Sequence, residues 1–354
     1  MQAYLPKLFV GPNALQQAET SLRRFKDYVS QFPDVIKLTI CPMGSFSTGL
    51  CLRDASSLDL IVCMDGGQLT NTLSGDQLAL ALSKGLTEWG DLTILEPVGD
   101  GTSLLILATK DSEIKLRIFT CKPSTFPFNV LNHTQLFSSY ASCDSRVPIV
   151  IALIKHWAAF SGNSRPIVNL ACPMSGFHWT ILILYYLVES GAVPNLHEIT
   201  SEFPGVPTTV YGPRPDRDSF VRIENSKSAR KIFAKRASIG DDPFQLCAGF
   251  FDWLSTIDLL SVMIDLREAG KRRLIPTARK GWIVIVDPVK PGIHNTVNTE
   301  LGQKSQVEYA MKLRRTSLLM AERLRGSTEA NFIKKMLSKN TDGIASLKVD
   351  RAVP

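Results

Sequence analysis

A glycine-serine turn leading into a half-polar strand constrains this chain most. Gly44-Ser45-Phe46-Ser47-Thr48-Gly49-Leu50 is followed, after Cys51 to Ser56, by Ser57-Leu58-Asp59-Leu60-Ile61-Val62. Successive side chains of a strand point to opposite faces. Ser57 and Asp59 therefore share one face, and Leu58, Leu60 and Val62 share the other. The stretch 58–64 is mostly apolar, which suits a strand covered on both sides. Glycine lets the backbone come close to a neighbour or a phosphate, and the serine beside it adds a hydroxyl donor.

The surrounding periodicities supply the rest of a small domain. Apolar residues at helical spacing predict a helix over 14–31 and another over 76–89. Alternating or apolar runs predict strands over 35–40, 92–96, 103–108 and 114–120. This order suits a mixed sheet with helices on one face. From Val147 the pattern turns helical, with helices predicted over 148–160, 176–190, 243–257, 259–268 and 299–325, and a strand over 282–286. A polar stretch over 201–242 reads as a long connection or insert. The residues 341–354 have little core-forming character. The expected organisation is a sheet domain over 1–146, a helical domain over 147–340 and a tail over 341–354.

With 354 residues, 44% of them hydrophobic and 21% charged, the chain is long enough for two cores. Its net charge of +7 favours polyanionic partners, RNA first. The cysteines Cys41, Cys51, Cys63, Cys121, Cys143, Cys172 and Cys247 form no CxxC pair. That argues for reduced thiols in an intracellular compartment, and against a zinc site or a disulfide framework. Mitochondrion and cytoplasm both fit. No apolar run has membrane-spanning length, and residues 1–10 lack a signal-peptide layout, so no membrane partner is expected. Three basic runs stand out: Lys227, Arg230, Lys231, Lys235 and Arg236; Lys271, Arg272, Arg273, Arg279 and Lys280; and Lys312, Arg314 and Arg315. Such runs neutralise phosphates without reading sequence.

The turn and strand at 44–62 resemble the signature of the DNA polymerase β-like nucleotidyltransferases. The nearest group is the terminal uridylyltransferases and the poly(A) polymerases related to them. Further segments agree in order: Asn132-His133-Thr134-Gln135-Leu136-Phe137, then Tyr140, Asp144 and Arg146; Ile154-Lys155-His156-Trp157-Ala158; Ser175-Gly176-Phe177 and Tyr185-Tyr186-Leu187; Phe250, Phe251 and Trp253; Ile264-Asp265-Leu266-Arg267; and Asp287-Pro288 followed by His294-Asn295. The resemblance covers about residues 15–325. It implies an α/β + α fold, a nucleotidyltransferase mixed-sheet domain packed against a mainly helical domain of the poly(A) polymerase-associated type, with a cleft between. It also implies vestigial nucleotide contacts: Gly44 and Ser45 near phosphate, Asn132 and Thr134 near the sugar, Lys155 near the triphosphate, with Ser175, Phe177 and His294 completing the set.

The same resemblance exposes what is missing. Nucleotidyl transfer uses two magnesium ions, and magnesium prefers hard carboxylate oxygens. The family supplies two carboxylates at i and i+2 on one strand and a third on a neighbouring strand. Here Ser57 occupies the first position and Asp59 the second. The strand expected to bring the third offers Lys115 and Arg117. A cation there repels magnesium and pairs with Asp59 instead. Asp111 or Glu113 serves only under a shifted register. Ala159 stands where a second triphosphate lysine belongs, and Phe177 where a tyrosine does. Core packing is the plainer reading of Trp157 and Phe177, and His294 reads as structural.

The expectation is a non-catalytic pseudo-nucleotidyltransferase with no cofactor. It would act as an RNA-binding scaffold subunit or assembly factor of an RNA-processing or ribonucleoprotein complex, with RNA or protein subunits as partners. RNA contacts are expected from Lys271, Arg272, Arg273, Arg279, Lys280, Arg230 and Lys231. One alternative is an active terminal uridylyl- or adenylyltransferase using magnesium at Asp59 and a nucleoside triphosphate. Another is a metal-independent nucleotide-binding regulator.

Overall fold

The computed structural model describes residues 9–31, 38–52, 57–64, 75–88, 90–95, 103–109, 115–121, 128–160, 174–198, 207–213, 218–223, 242–290, 292, 294–297, 302–325, 327 and 331. The chain divides into two compact units between Ala141 and Ser142.

The first unit runs α1 (Pro12–Ser30), β1 (Leu38–Met43), the one-turn α2 (Gly44–Ser47), β2 (Ser57–Met64), α3 (Gly75–Leu86), β3 (Gly90–Leu95), β4 (Ser103–Thr109), β5 (Lys115–Cys121) and α4 (Phe128–Cys143). The sheet order is β1-β2-β5-β4-β3. β2 and β5 are parallel, and the other neighbours are antiparallel. Alternation sorts the faces. Leu58, Leu60 and Val62 of β2, Leu105 and Leu107 of β4, and Leu116 and Ile118 of β5 form one apolar layer. Phe25 and Val29 of α1 and Leu78, Leu82 and Leu86 of α3 cover it. Each such side chain contributes about 2 kcal/mol when fully buried. On the opposite face Ile61 and Cys63 cluster with Met43, Cys41 and Phe119, beneath Val130 and Leu131 of α4.

The sequence reading assigned no element to 132–140. It is part of a helix, α4. Its polar residues, Asn132 to Gln135, hide the helical period that Leu136, Phe137 and Tyr140 complete inside the core.

The second unit contains α5 (Arg146–Phe160), α6 (Gly176–Glu189), the hairpin β6 (Thr208–Val210) and β7 (Ser219–Val221), α7 (Pro243–Thr256), the short pair β8 (Val262–Met263) and β9 (Arg273–Leu274), and α8 (Gly302–Leu324). α6 is buried from His178 to Leu187, as expected for a helix apolar all round. Asp242 caps α7 by accepting from Phe244 and Gln245 N–H, and the Gln245 side chain accepts from Asp242 N–H. Aromatic rings lock the helices: Trp157 lies 4.7 Å from Phe251 and 6.0 Å from Trp179, both edge-on.

The helix expected over 259–268 does not form. Asp258 takes the N–H of Leu260 and the hydroxyl of Ser261. Val262 and Met263 then extend and pair with Leu274 and Arg273. Asp265 caps a single 3-10 turn over Leu266–Glu268. Aspartates that bind local backbone N–H groups compete with a helix, and β-branched Val262 and Ile264 favour extension. The stretch 201–242 also contains the β6–β7 hairpin, whose Phe220 and Val221 are fully buried. At 282–286, bridges at Ile285 and Val286 replace a continuous strand. The residues 341–354 lie outside the described residues.

Candidate functional site

In the first unit the predicted residues converge on the exposed half of one sheet face. The parallel register sets Ser57 opposite Lys115 and Asp59 opposite Arg117, so Arg117 is the cation beside the carboxylate. Arg117 Nη1 donates to Asp59 Oδ1 at 3.3 Å. The Ser57 hydroxyl donates to the same oxygen at 3.2 Å. The guanidinium carbon also lies 5.4 Å from the ring centre of Phe119, a cation–π distance. Phe119 was missed as a site residue, although its place two residues beyond Arg117 put it on the same face.

Gly44 closes the other side of Asp59. Its φ is +73°, and a Cβ at this position would stand 2.7 Å from Asp59 Oδ2. Glycine is needed for both the conformation and the approach. Gly44 N–H donates to Thr134 Oγ1 at 3.2 Å, and the Thr134 hydroxyl donates to Val130 O at 2.9 Å. Thr134 thus anchors the turn, while Asn132 lies half-buried on α4 and Ser45 half-buried on α2.

Burial raises the pKa of Asp59, with Arg117 and Ser57 pulling it back down. Magnesium asks for several hard oxygens in octahedral geometry. Among the described residues this site presents one carboxylate, with one oxygen already accepting two hydrogen bonds and a guanidinium alongside. The described residues alone do not fit a catalytic magnesium pair. Among the described residues no group of three His, Cys, Asp or Glu side chains gathers to hold a metal. Asp111 and Glu113 lie outside the described residues.

The second unit places the remaining candidates around the start of α6. Ser175 is the N-cap, and its N–H donates to His178 Nδ1 at 2.8 Å. His178 Nε2 lies 2.9 Å from Thr296 O. The accepting Nδ1 fixes the tautomer, so Nε2 donates. Burial lowers the His178 pKa, with the Thr296 bond opposing, which keeps the ring neutral. His178 escaped the sequence reading, though Ser-x-x-His at a helix start follows capping-box spacing. Phe177 is half-buried, Trp157 is buried, and Ala159 is exposed one turn after Lys155.

Lys155 Nζ lies 3.7 Å from where a Cβ on Gly176 would stand. The first turn of α6 holds no acidic residue. The Lys155 side chain thus lies against the first residue of α6. His294 is exposed. Its loop is held by Asp287 N–H donating to His294 O and by the Asn295 side chain accepting from Ile285 N–H.

The basic run at 271–280 is largely neutralised. Lys271 pairs with Glu198 at 2.7 Å, Arg272 with Glu189 at 2.9 Å and Arg273 with Glu268 at 2.9 Å. Glu189 also accepts from Trp253 Nε1 at 2.7 Å. Arg279 and Lys280 are exposed. Arg230 and Lys231, with Lys227, Lys235 and Arg236, lie outside the described residues. Among the described residues no helix is long and apolar enough to cross a membrane.

No known family profile matches the chain. The terminal uridylyltransferase Cid1 of Schizosaccharomyces pombe is 27% identical over 153 residues, 41% of this chain and 34% of that protein. The match thus spans about a third of that relative's length. Similar solved structures include Cid1 poly(U) polymerase with MgGTP bound, at TM-score 0.69 and 18% identity, covering 95% of this chain and 96% of that one. Cid1 in complex with its short product ApU gives 0.67 and 18%, covering 95% of both chains. A cytoplasmic RNA terminal U-transferase gives 0.67 and 17%, again covering 95% of both. With its mixed sheet unit and its helical unit, the chain shares the fold of these Cid1 structures.

Proposed function

We propose that this chain is a non-catalytic nucleotidyltransferase that holds RNA as a scaffold or assembly subunit of an RNA-processing or ribonucleoprotein complex. The observation that carries this is the Asp59–Arg117 ion pair at 3.3 Å. The guanidinium stands where transfer chemistry needs another carboxylate, and it supplies the positive charge that a metal would otherwise bring. Basic composition and a fold shared with proteins that act on RNA support the RNA part. An intracellular reducing compartment accords with the free thiols of Cys41, Cys143 and Cys247. The test is a tailing assay with purified protein, an RNA primer, magnesium or manganese, and each nucleoside triphosphate. No extension is expected. Extension that Asp59→Ala abolishes would sink the proposal.

Similarity to Cid1 favours a second reading, an active terminal uridylyl- or adenylyltransferase with magnesium and a triphosphate, and the same assay decides it. The Lys155 ammonium over the start of α6 favours a third, metal-independent nucleotide binding. Calorimetry with UTP or ATP in chelator separates this from a pure scaffold, because a scaffold gives no heat.

A further inference from the structure

The Asp59–Arg117 pair leaves positive charge over on its sheet face. Strand alternation puts Lys115 on the same side of β5 as Arg117 and Phe119, about 7 Å before Arg117. Lys115 is exposed, and among the described residues no carboxylate pairs with it. The neighbouring β1, α2, β4 and α4 hold no Asp, Glu, Lys or Arg. Among the described residues this half of the face therefore sets two cations, Lys115 and Arg117, against the single carboxylate of Asp59. The next acidic register position is Asp91 of β3, opposite Ala108, which is itself opposite Lys115. Two strand spacings make that about 10 Å, beyond the Debye length of about 8 Å at about 0.15 M salt.

Arg117 is held ready to receive an acceptor. Asp59 takes Nη1 at 3.3 Å, and the Phe119 ring centre lies 5.4 Å from the guanidinium carbon. These two contacts orient the guanidinium, yet the side chain stays 39% exposed. Nε and Nη2 meet no acceptor among the described residues. A guanidinium oriented in advance loses little freedom on binding, and its fork matches two oxygens of a phosphate. Asp59 plays two opposed parts: it orients Arg117, and it subtracts from the charge that an anion meets.

We propose that Lys115 and Arg117 grip a phosphate group directly, in the place that nucleotidyl transfer gives to magnesium. This rests on the non-catalytic reading above and adds its ligand: an RNA phosphodiester, or the phosphates of a free nucleoside triphosphate. Neither needs a metal ion here. The sign of one substitution separates such a site from a metal site. Where a carboxylate ligates a metal, Asp59→Asn weakens binding. Where it only orients Arg117, the amide oxygen of asparagine still accepts from Nη1 while the opposing charge is gone, and binding tightens.

The test uses the full chain in EDTA with two probes, a labelled single-stranded RNA read by fluorescence anisotropy and UTP read by calorimetry. At least one is expected to bind, and the one that responds to the variants identifies the source of the phosphate. Lys115→Gln should weaken binding about fivefold and, for RNA, lower the salt slope by about 0.7. Arg117→Gln should weaken it at least as much; should that variant shift the thermal midpoint, Lys115→Gln, at an exposed position, carries the test. Asp59→Asn should tighten binding at least about threefold. Binding that Lys115→Gln and Asp59→Asn leave unchanged overturns the proposal and leaves the non-catalytic reading standing. So does binding that Asp59→Asn abolishes, or that appears only once magnesium is restored. Failure of both probes to bind overturns the proposal together with the RNA-holding part of that reading, while the tailing assay decides the non-catalytic part separately.

Discussion

The carboxyl of Asp59 sits between opposed influences: burial raises its pKa, and Arg117 and Ser57 lower it. Arg117→Met removes the stronger counterweight. The Asp59 pKa is then expected to rise further, read by NMR titration of the carboxyl carbon; a fall counts against the geometry. The two strands also suggest a converse change. Ser57→Asp together with Arg117→Asp gathers three carboxylates on neighbouring strands. Manganese is expected to raise the thermal midpoint of this double variant, and of neither the parent nor the single variants. Buried histidines set the acid limit. His197 lies fully buried, and its Nδ1 is 3.1 Å from Ser219 O; burial lowers its pKa from 6.5 to about 4. The unfolded chain therefore takes up the proton first. Stability present above pH 6.5 should be lost as pH falls toward 4, by about 3 kcal/mol from this residue at 1.36 kcal/mol per unit. His178 acts in the same direction. Urea unfolding across that range checks it, and a flat profile contradicts it. The face shared by Ser57 and Asp59 was legible because strand alternation is local. Which cation meets Asp59 was not, since the register between β2 and β5 joins segments far apart in the chain.

At the scale of elements, one close approach invites a direct test. Tyr28 of α1 donates its hydroxyl to Leu82 O of α3 at 3.0 Å, and a Cβ on Gly85 would stand 2.6 Å from the Tyr28 ring. Alanine in a helix interior ordinarily gains about 1 kcal/mol over glycine, and less at the penultimate position that Gly85 holds in α3. Here overpacking, worth about 1–3 kcal/mol, should win, so Gly85→Ala is expected to destabilise. Tyr28→Leu in the same chain should return Gly85→Ala to a net gain, and a double-mutant cycle by chemical denaturation reads the difference. Elements with an unbroken apolar period were legible: α3, α6 and α7 fall within a few residues of their predicted bounds. α4 was hidden by polar residues at 132–135, and the helix expected at 259–268 was defeated by Asp258 and Asp265. In both places side-chain hydrogen bonding or tertiary burial overrides the period that a sequence displays.

For the whole molecule, the net charge of +7 overstates what phosphate meets. Glu198, Glu189 and Glu268 already hold Lys271, Arg272 and Arg273. Lys271→Ala is therefore expected to leave RNA affinity nearly unchanged. Arg279→Ala with Lys280→Ala should weaken binding to every sequence alike and lower the salt slope by about 2. Filter binding over a salt series measures both, and equal losses would refute the distinction. A change from alternating to helical periodicity near Val147, close to where the chain divides after Ala141, was legible. The neutralisation was not, because Glu189 and Glu198 lie more than seventy residues before their cations. The strand order has a last consequence, for synthesis. β5 is the final strand of the five-stranded sheet to be made, yet it lies between β2 and β4. A growing chain can form the β1–β2 and β3–β4 pairs early, but they stay apart until residues 115–121 emerge and join them. Arg117 rides on that strand. The residue that pairs with Asp59 therefore arrives with the strand that completes the sheet, so a nascent chain never has a finished sheet with an uncovered carboxylate.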